Sequence, residues 1–298
     1  GIRDYKVTGV QTCALPILDR RPTAMTEVAV FGAQGQLGCE LQLTQPDGLE
    51  VTYLTRTQVD IASIDQVADC LNTLNPAVII NAAAYTAVDR AEQEPHLAEA
   101  ANAVGPGNLA EWAGQRGARL LHVSTDFVFD GLSATPYKVT DRPNPLGVYG
   151  QTKLAGEGRV LAIDAPHLVL RTGWVYSRHG GNFVKTMLRL MSEREQIAVV
   201  EDQTGTPTWA RGLASTCWAL ASNPDTRGLY HWSDKGACSW FEFALAIQEE
   251  ALTLGLLDRK IEVLPISTTE YPTPARRPAY SVLDKTETWR AKIGRAHV

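Results

Sequence analysis

The chain has 298 residues, 44% hydrophobic and 20% charged, with a formal net charge of -5, which is enough to bury a full core in one large domain with a smaller appendage. Its scattered basic residues do not form the concentrated basic face that nucleic acid or an anionic membrane requires, so neither is expected as a partner. The longest apolar candidate, PAVIINAAAYTAV, is too short for a membrane span, and five cysteines (Cys13, Cys39, Cys70, Cys217, Cys238) without C-x-x-C spacing point to reduced thiols in a cytoplasm rather than to disulfides or zinc.

At the amino end, VTGVQTCALPI (7–17) and, at the other end, KIGRAHV (292–298) read as one sequencing adapter translated from both DNA strands. Residues 1–24 and 292–298 are therefore expected to be non-native, with Met25 as the native start and the gene cut near Ala291. EVAVFG is then a short β-branched strand. It runs into GAQGQLG, with Gly32, Gly35 and Gly38 at G-x-x-G-x-x-G spacing and a helix behind them. Glycines allow a tight turn and close approach to a pyrophosphate, which the first N–H groups of the helix attract. A second strand, EVTYLTR, ends at Arg56, where an NAD site would carry an acid; an arginine suits a 2′-phosphate. Asp60 and Ile61 follow, placed to meet an adenine edge.

PAVIINAAAYTAVD runs from a buried strand into three alanines, small enough for a ligand to lie across the sheet, although a crowded core gives the same composition. One helix is expected through HLAEAANAVGPGNLAEWAGQRG. The fourth strand, in RLLHVSTDFVFDG, brings Ser124, Thr125 and Asp126 to its carboxyl end, either to grip a carbonyl or to cap a turn. GVYGQTKLAGE then sets Tyr149 and Lys153 four apart on one helical face. A phenol with a pKa near ~10 needs such a cation to act as a proton donor near neutrality, although the spacing also suits an ordinary surface pair.

The glycine loop, NAAAYTAVD, HVSTDFVFDG, NPLGVYGQTKLAGE, LRTGWVY, GNFVKTMLRL, DQTGTPT and YPTPARRPAYS together resemble the dTDP-4-dehydrorhamnose reductases, extended members of the short-chain dehydrogenase/reductase superfamily, from about Val28 to Leu283. The resemblance implies an α/β fold: a Rossmann-type doubly wound parallel sheet with a smaller α/β substrate-binding lobe. Residues 25–172 would bind NAD(P), and 173–291 would form mainly the lobe, with some segments returning to the sheet. It implies NADPH, or NADH, held by Gly32, Gly35, Gln36 and Leu37, by Arg56, Asp60 and Ile61, by Ala84, Tyr85 and Thr86, and by Tyr149 and Lys153. The implied partner is a dTDP-linked 4-keto-6-deoxy sugar, bound by Thr125, Asp126, Trp174, Asn182 and Lys185 to a monomer or homodimer. The implied catalytic set is Thr125, Tyr149 and Lys153. Tyr149 would protonate the ketone oxygen, Lys153 would lower the phenol's pKa and bond the nicotinamide ribose, and Thr125 would align the carbonyl, with no metal required.

Trp174 would pack on the sugar, its alternative being core packing. Lys185 would face a diphosphate or solvent. Of Arg276 and Arg277, one could reach a phosphate while the other makes a structural pair. Sugar-nucleotide 4,6-dehydratases carry an Asp-Glu pair after the threonine; Asp126 is followed here by Phe127, which cannot shuttle a proton. The alternative of a different class is a non-catalytic NADP-binding module resembling the regulatory subunit of methionine adenosyltransferase. The chain also departs from the family in a final helix that it lacks and in a variable loop at Arg178 and His179.

Overall fold

A computed structural model describes residues 26–291; the two terminal segments expected to be non-native lie outside the described residues. Six parallel strands form the central sheet, in the spatial order Gly228–His231, Leu168–Thr172, Arg119–Thr125, Val78–Asn81, Thr26–Phe31 and Leu49–Leu54. The period of two along each strand feeds two separate cores. Val28 and Val30 join Leu37, Leu41, Leu213 and Trp218 on one face. Ala29 and Phe31 join Val67, Leu71, Leu109 and Val160 on the other. The first layer is covered by the helices Gln36–Leu43 and Ala210–Ser222, the second by Ile64–Leu74, Gly105–Arg116 and Val148–Leu161. Local signals set the ends of these helices. Ser63 accepts a hydrogen bond from the Gln66 N–H at the start of Ile64–Leu74, and Asn75 closes it with a left-handed φ of 46°.

After Thr172 the chain leaves the sheet. The helices Phe183–Glu193 and Trp240–Thr253 enclose a third core with the parallel strands Gln196–Val200 and Glu262–Ile266. Between them, Ala210–Ser222 and Gly228–His231 return to the main sheet.

Two expected elements differ. The single long helix after Glu94 is broken into Pro95–Glu99, a π-helical turn Ala100–Val104 and Gly105–Arg116. The wider turn lies where Gly156 meets the chain so closely that a Cβ there would stand 2.0 Å from the Asn102 carbonyl oxygen. The strand at Arg119 stops at Thr125, and Asp126–Val128 forms a 3-10 turn.

Candidate active site

The strand Thr26–Phe31 connects onward to Leu49–Leu54 on one side, whereas its other neighbour, Val78–Asn81, connects onward to Arg119–Thr125 on the other, so the crevice between their carboxyl ends is a topological switch point, where α/β sheets bind ligands. Gly32 sits there with φ 85°, and a Cβ would lie 2.6 Å from the Ala83 nitrogen and 2.7 Å from the Ala82 carbonyl carbon. At Gly38 a Cβ would lie 2.2 Å from the Gly32 oxygen, so both glycines are needed to press the helix Gln36–Leu43 against the turn. The cavity beside this turn, about 450 Å³, is lined by Gly32 and Gly35, by Arg56, Asp60 and Ile61, and by Ala84, Tyr85 and Thr86. The cradle of glycines and alanines, with an exposed arginine that makes no ion pair among the described residues, fits a dinucleotide bearing an extra phosphate.

Gln36 and Leu37 contribute differently from their neighbours. The Gln36 carboxamide oxygen accepts from Asn182 Nδ2 at 2.8 Å, and the Leu37 side chain is buried in the core. Leu37 therefore leaves only its backbone, in the first helical turn, for an anion, while Gln36 also keeps its carboxamide nitrogen. The Asp60 carboxylate accepts from the Ala62 N–H at 3.1 Å, which shapes the adenine side of the cavity. Asn102, which sequence reasoning missed, clamps Tyr85: its Oδ1 accepts from the Tyr85 N–H at 2.8 Å and its Nδ2 donates to the Tyr85 carbonyl at 3.1 Å.

The helix Val148–Leu161 carries Tyr149 and Lys153. Its start is fixed by Glu92, whose Oε1 accepts from the Val148 N–H at 2.8 Å, and by Gly150, where a Cβ would stand 2.2 Å from the Phe127 oxygen. This packing brings the phenol beside Thr125 and Asp126, with the Phe127 ring edge-on at 5.6 Å. The Thr125 hydroxyl donates to Asp126 Oδ1 at 3.1 Å, and Gly173 leaves room for that carboxylate, since a Cβ would lie 2.6 Å from it. Burial pushes Asp126 up to about 6, against hydrogen bonds from Ser281 and Thr125.

Electrostatics correct one expectation. Burial pushes the Tyr149 phenol up to about 12, with Asp126 adding to the rise and Thr125 opposing it, so the net shift is upward. Lys153 Nζ donates to the Val123 carbonyl at 2.7 Å and faces His122 Nε2 at 3.3 Å, and burial lowers its own pKa to about 8, against Glu157.

A second cavity of about 470 Å³ opens between the sheet and the lobe, lined by Phe127, Trp174, Trp240, Gln203, Arg277 and Ser281 among others. Trp174 holds a left-handed φ of 50°, rare for a bulky residue and costing on the order of 1–3 kcal/mol. Its ring stacks on Trp240 with centroids 3.4 Å apart and planes 5° from parallel. It also lies over Gly205, where a Cβ would be 2.4 Å from the ring. The Thr208 hydroxyl and N–H grip the carbonyls of Gly173 and Trp174 at 2.6 and 3.1 Å.

Asn182 and Lys185 do not line this cavity, contrary to expectation. Asn182 caps the helix Phe183–Glu193 by accepting from the Lys185 N–H, and donates to Gln36 and to the Ser177 carbonyl. Lys185 Nζ bonds the Arg178 and Gly180 carbonyls at 3.2 and 2.8 Å. Phe183, Thr186, Met187 and Leu190 present the helix to the cavity instead. Between the two arginines, Arg277 makes the structural pair, 2.7 Å from Asp89, while Arg276 is exposed. Burial pushes the Asp89 carboxyl up, but the bonds and charge of Arg277 outweigh it and hold it below its ordinary value.

The family model described as the RmlD substrate binding domain matches residues 25–297. The dTDP-4-dehydrorhamnose reductase of Escherichia coli K12 is 42% identical over 266 residues, covering 86% of this chain and 89% of that protein. A spore coat polysaccharide biosynthesis protein of Bacillus subtilis is 40% identical, covering 92% and 94%. Among solved structures, a dTDP-4-dehydrorhamnose reductase from Bacillus anthracis in complex with NADP superposes with a TM-score of 0.83 at 40% identity, over 87% of this chain and 90% of that one. A UDP-glucose 4-epimerase from Thermus thermophilus, 20% identical with a TM-score of 0.75 over 89% and 93%, shares the fold.

Proposed function

We infer that this chain, which belongs to the dTDP-4-dehydrorhamnose reductase family described by the RmlD substrate binding domain, reduces dTDP-4-dehydro-L-rhamnose to dTDP-L-rhamnose with NADPH, in nucleotide-sugar synthesis for surface polysaccharide. The observation that carries the mechanism is the meeting of Thr125 and Tyr149 beside Phe127, whose ring is edge-on to the phenol and lines the cavity walled by tryptophan. When bound, NADPH supplies the hydride. Gly32, Ala84 and Tyr85 would hold it, with Arg56 toward its 2′-phosphate.

The chain's own residues handle the ketone oxygen. The Thr125 hydroxyl aligns it. A phenol whose pKa stands at about 12 is fully protonated at neutral pH, which is the form an acid must have, and an alkoxide developing at the sugar C4 is basic enough to take its proton. Lys153, one helical turn on, favours the phenolate left behind whenever it carries its charge. Trp174 and Trp240 give the sugar nucleotide a flat apolar wall, and Phe127 in place of a second carboxylate leaves dehydration without its acid-base pair. Residues 25–172 would thus carry the cofactor and 173–291 mainly the substrate.

The enzyme would work as a monomer or homodimer in the cytoplasm, without nucleic acid or membrane. In support, no helix among the described residues is long and apolar enough to cross a membrane, and Cys39, Cys70, Cys217 and Cys238 are free thiols. The non-catalytic alternative is disfavoured by relatives 42–44% identical over most of the chain that carry the reductase name. Incubation with NADPH and dTDP-4-dehydro-L-rhamnose should give dTDP-L-rhamnose. NADPH binding with no turnover on any 4-keto-6-deoxy sugar nucleotide would favour a binding module instead.

A further inference from the structure

Beneath the proposed catalytic pair a buried polar chain leads to Lys153 through Asn81 and His122, which the mechanism above leaves unused. Asn81, His122 and Lys153 are all almost wholly removed from solvent. Asn81 Oδ1 accepts from the Ala83 N–H at 3.0 Å, so the amide cannot be turned over without stranding that donor. Its Nδ2 therefore faces His122 Nδ1, at 3.1 Å. An amide nitrogen only donates, so Nδ1 must accept, and a neutral imidazole must then carry its proton on Nε2. That N–H points at Lys153 Nζ, 3.3 Å away. An ammonium has three donors and no acceptor, so it would set hydrogen against hydrogen there. A neutral amine accepts from Nε2–H while still donating to the Val123 carbonyl at 2.7 Å.

We propose that Asn81 and His122 are positioning residues: by locking one imidazole tautomer, they favour the neutral amine form of Lys153. Resting on the reductase assignment, this makes the charge on Lys153 a titrating property of the active site. The other groups about Lys153 do not undo the lock. Glu157, one turn along its helix, favours the ammonium, but its two carboxylate oxygens are taken by Arg171, at 2.9 and 2.6 Å, and by the Ser124 hydroxyl. Tyr149, one turn back, is neutral in the same range, and burial with Lys153 beside it keeps His122 well below its ordinary pKa and hence uncharged. The cation that favours the phenolate is thus present below about pH 8 and lost above it.

The test uses the ligand-free protein. Nitrogen NMR of His122 should show a protonated Nε2 and a bare Nδ1 across the neutral range, and the Lys153 Cε signal, assigned with Lys153→Met, should titrate near pH 8. Asn81→Asp keeps the acceptor for Ala83 but turns the group facing Nδ1 into an acceptor, so the tautomer should reverse and the Lys153 midpoint rise by about one unit or more. The alkaline limb of kcat/KM should move with it. A His122 found with its proton on Nδ1, a Lys153 midpoint near the ordinary ~10.4, or a midpoint unmoved by Asn81→Asp would each overturn the proposal. If Asn81→Asp fails to fold, the two measurements on the parent protein still decide. Failure of the reductase assignment would appear separately, as absent turnover with these titrations intact.

Discussion

Gly32→Ala probes the cofactor cradle. The added methyl would stand 2.6 Å from the Ala83 nitrogen and 2.7 Å from the Ala82 carbonyl carbon, both backbone atoms of the neighbouring strand end, at a φ of 85°. The left-handed conformation costs an L-residue about 1–2 kcal/mol, and forcing a methyl into rigid surroundings about 1–3 kcal/mol. The expected loss is ~2–5 kcal/mol, which a protein of ordinary stability survives in folded form. Gly48→Ala is the control. Its φ is 78° with nothing within 4 Å of the added carbon, so it carries only the conformational part, ~1–2 kcal/mol. Urea unfolding of both variants separates the two contributions. Because relief at Gly32 requires the turn to shift off Ala82 and Ala83, NADPH affinity should fall about tenfold or more, equivalent to ~1.4 kcal/mol, and stay at the parental value in Gly48→Ala. The cradle is wrongly drawn if Gly32→Ala unfolds no more easily than Gly48→Ala and binds NADPH as the parent does.

Arg56→Asp should reverse the cofactor preference from NADPH toward NADH, since a carboxylate repels the 2′-phosphate that a guanidinium attracts; equal affinities for the two in that variant would show that Arg56 merely faces solvent. Asp126 bears on stability. Its carboxyl is raised from 3.8 to about 6 in the fold, so the native state binds the extra proton and Asp126 destabilises increasingly as pH rises from about 4 to 6. The full effect is on the order of 3 kcal/mol at neutral pH. Asp126→Asn removes that dependence, so its stability relative to the parent should improve between pH 4 and 7, and a flat difference in denaturation midpoints would contradict the burial argument.

Much of this site could be read locally. Gly32, Gly35 and Gly38 stand between a strand and a helix, Thr125 ends a strand with hydroxyl side chains, and Tyr149 and Lys153 share a helical face; each signal lies within a dozen residues. What escaped depended on contacts between distant segments. Glu92 holds the helix of Tyr149 from 56 residues away, Asn102 clamps Tyr85 across 17, and Arg277 reaches Asp89 across 188. The Trp174 stack on Trp240 belongs to the same class. Asn182 and Lys185 are expected toward the substrate because a nucleotide diphosphate in the smaller lobe needs donors and positive charge. The lobe turns that helix so that Asn182 caps it and reaches Gln36 while Met187 and Leu190 face the cavity. The phenol's proton affinity was misjudged for a related reason: spacing reveals the neighbouring cation, whereas burial and the direction of Nζ are tertiary properties.

The most direct test of the chemistry is a single-turnover comparison of the parent with Tyr149→Phe, at saturating NADPH and dTDP-4-dehydro-L-rhamnose, with cofactor affinity measured alongside. The substitution keeps the ring and its packing near Phe127 while removing the proton, so NADPH affinity should be unchanged and the rate should fall by about a hundredfold to ten-thousandfold. Lys153→Met, by contrast, should weaken both. A Tyr149→Phe enzyme that binds NADPH normally and retains more than about a third of the parental single-turnover rate would contradict the assignment of Tyr149 as the proton donor.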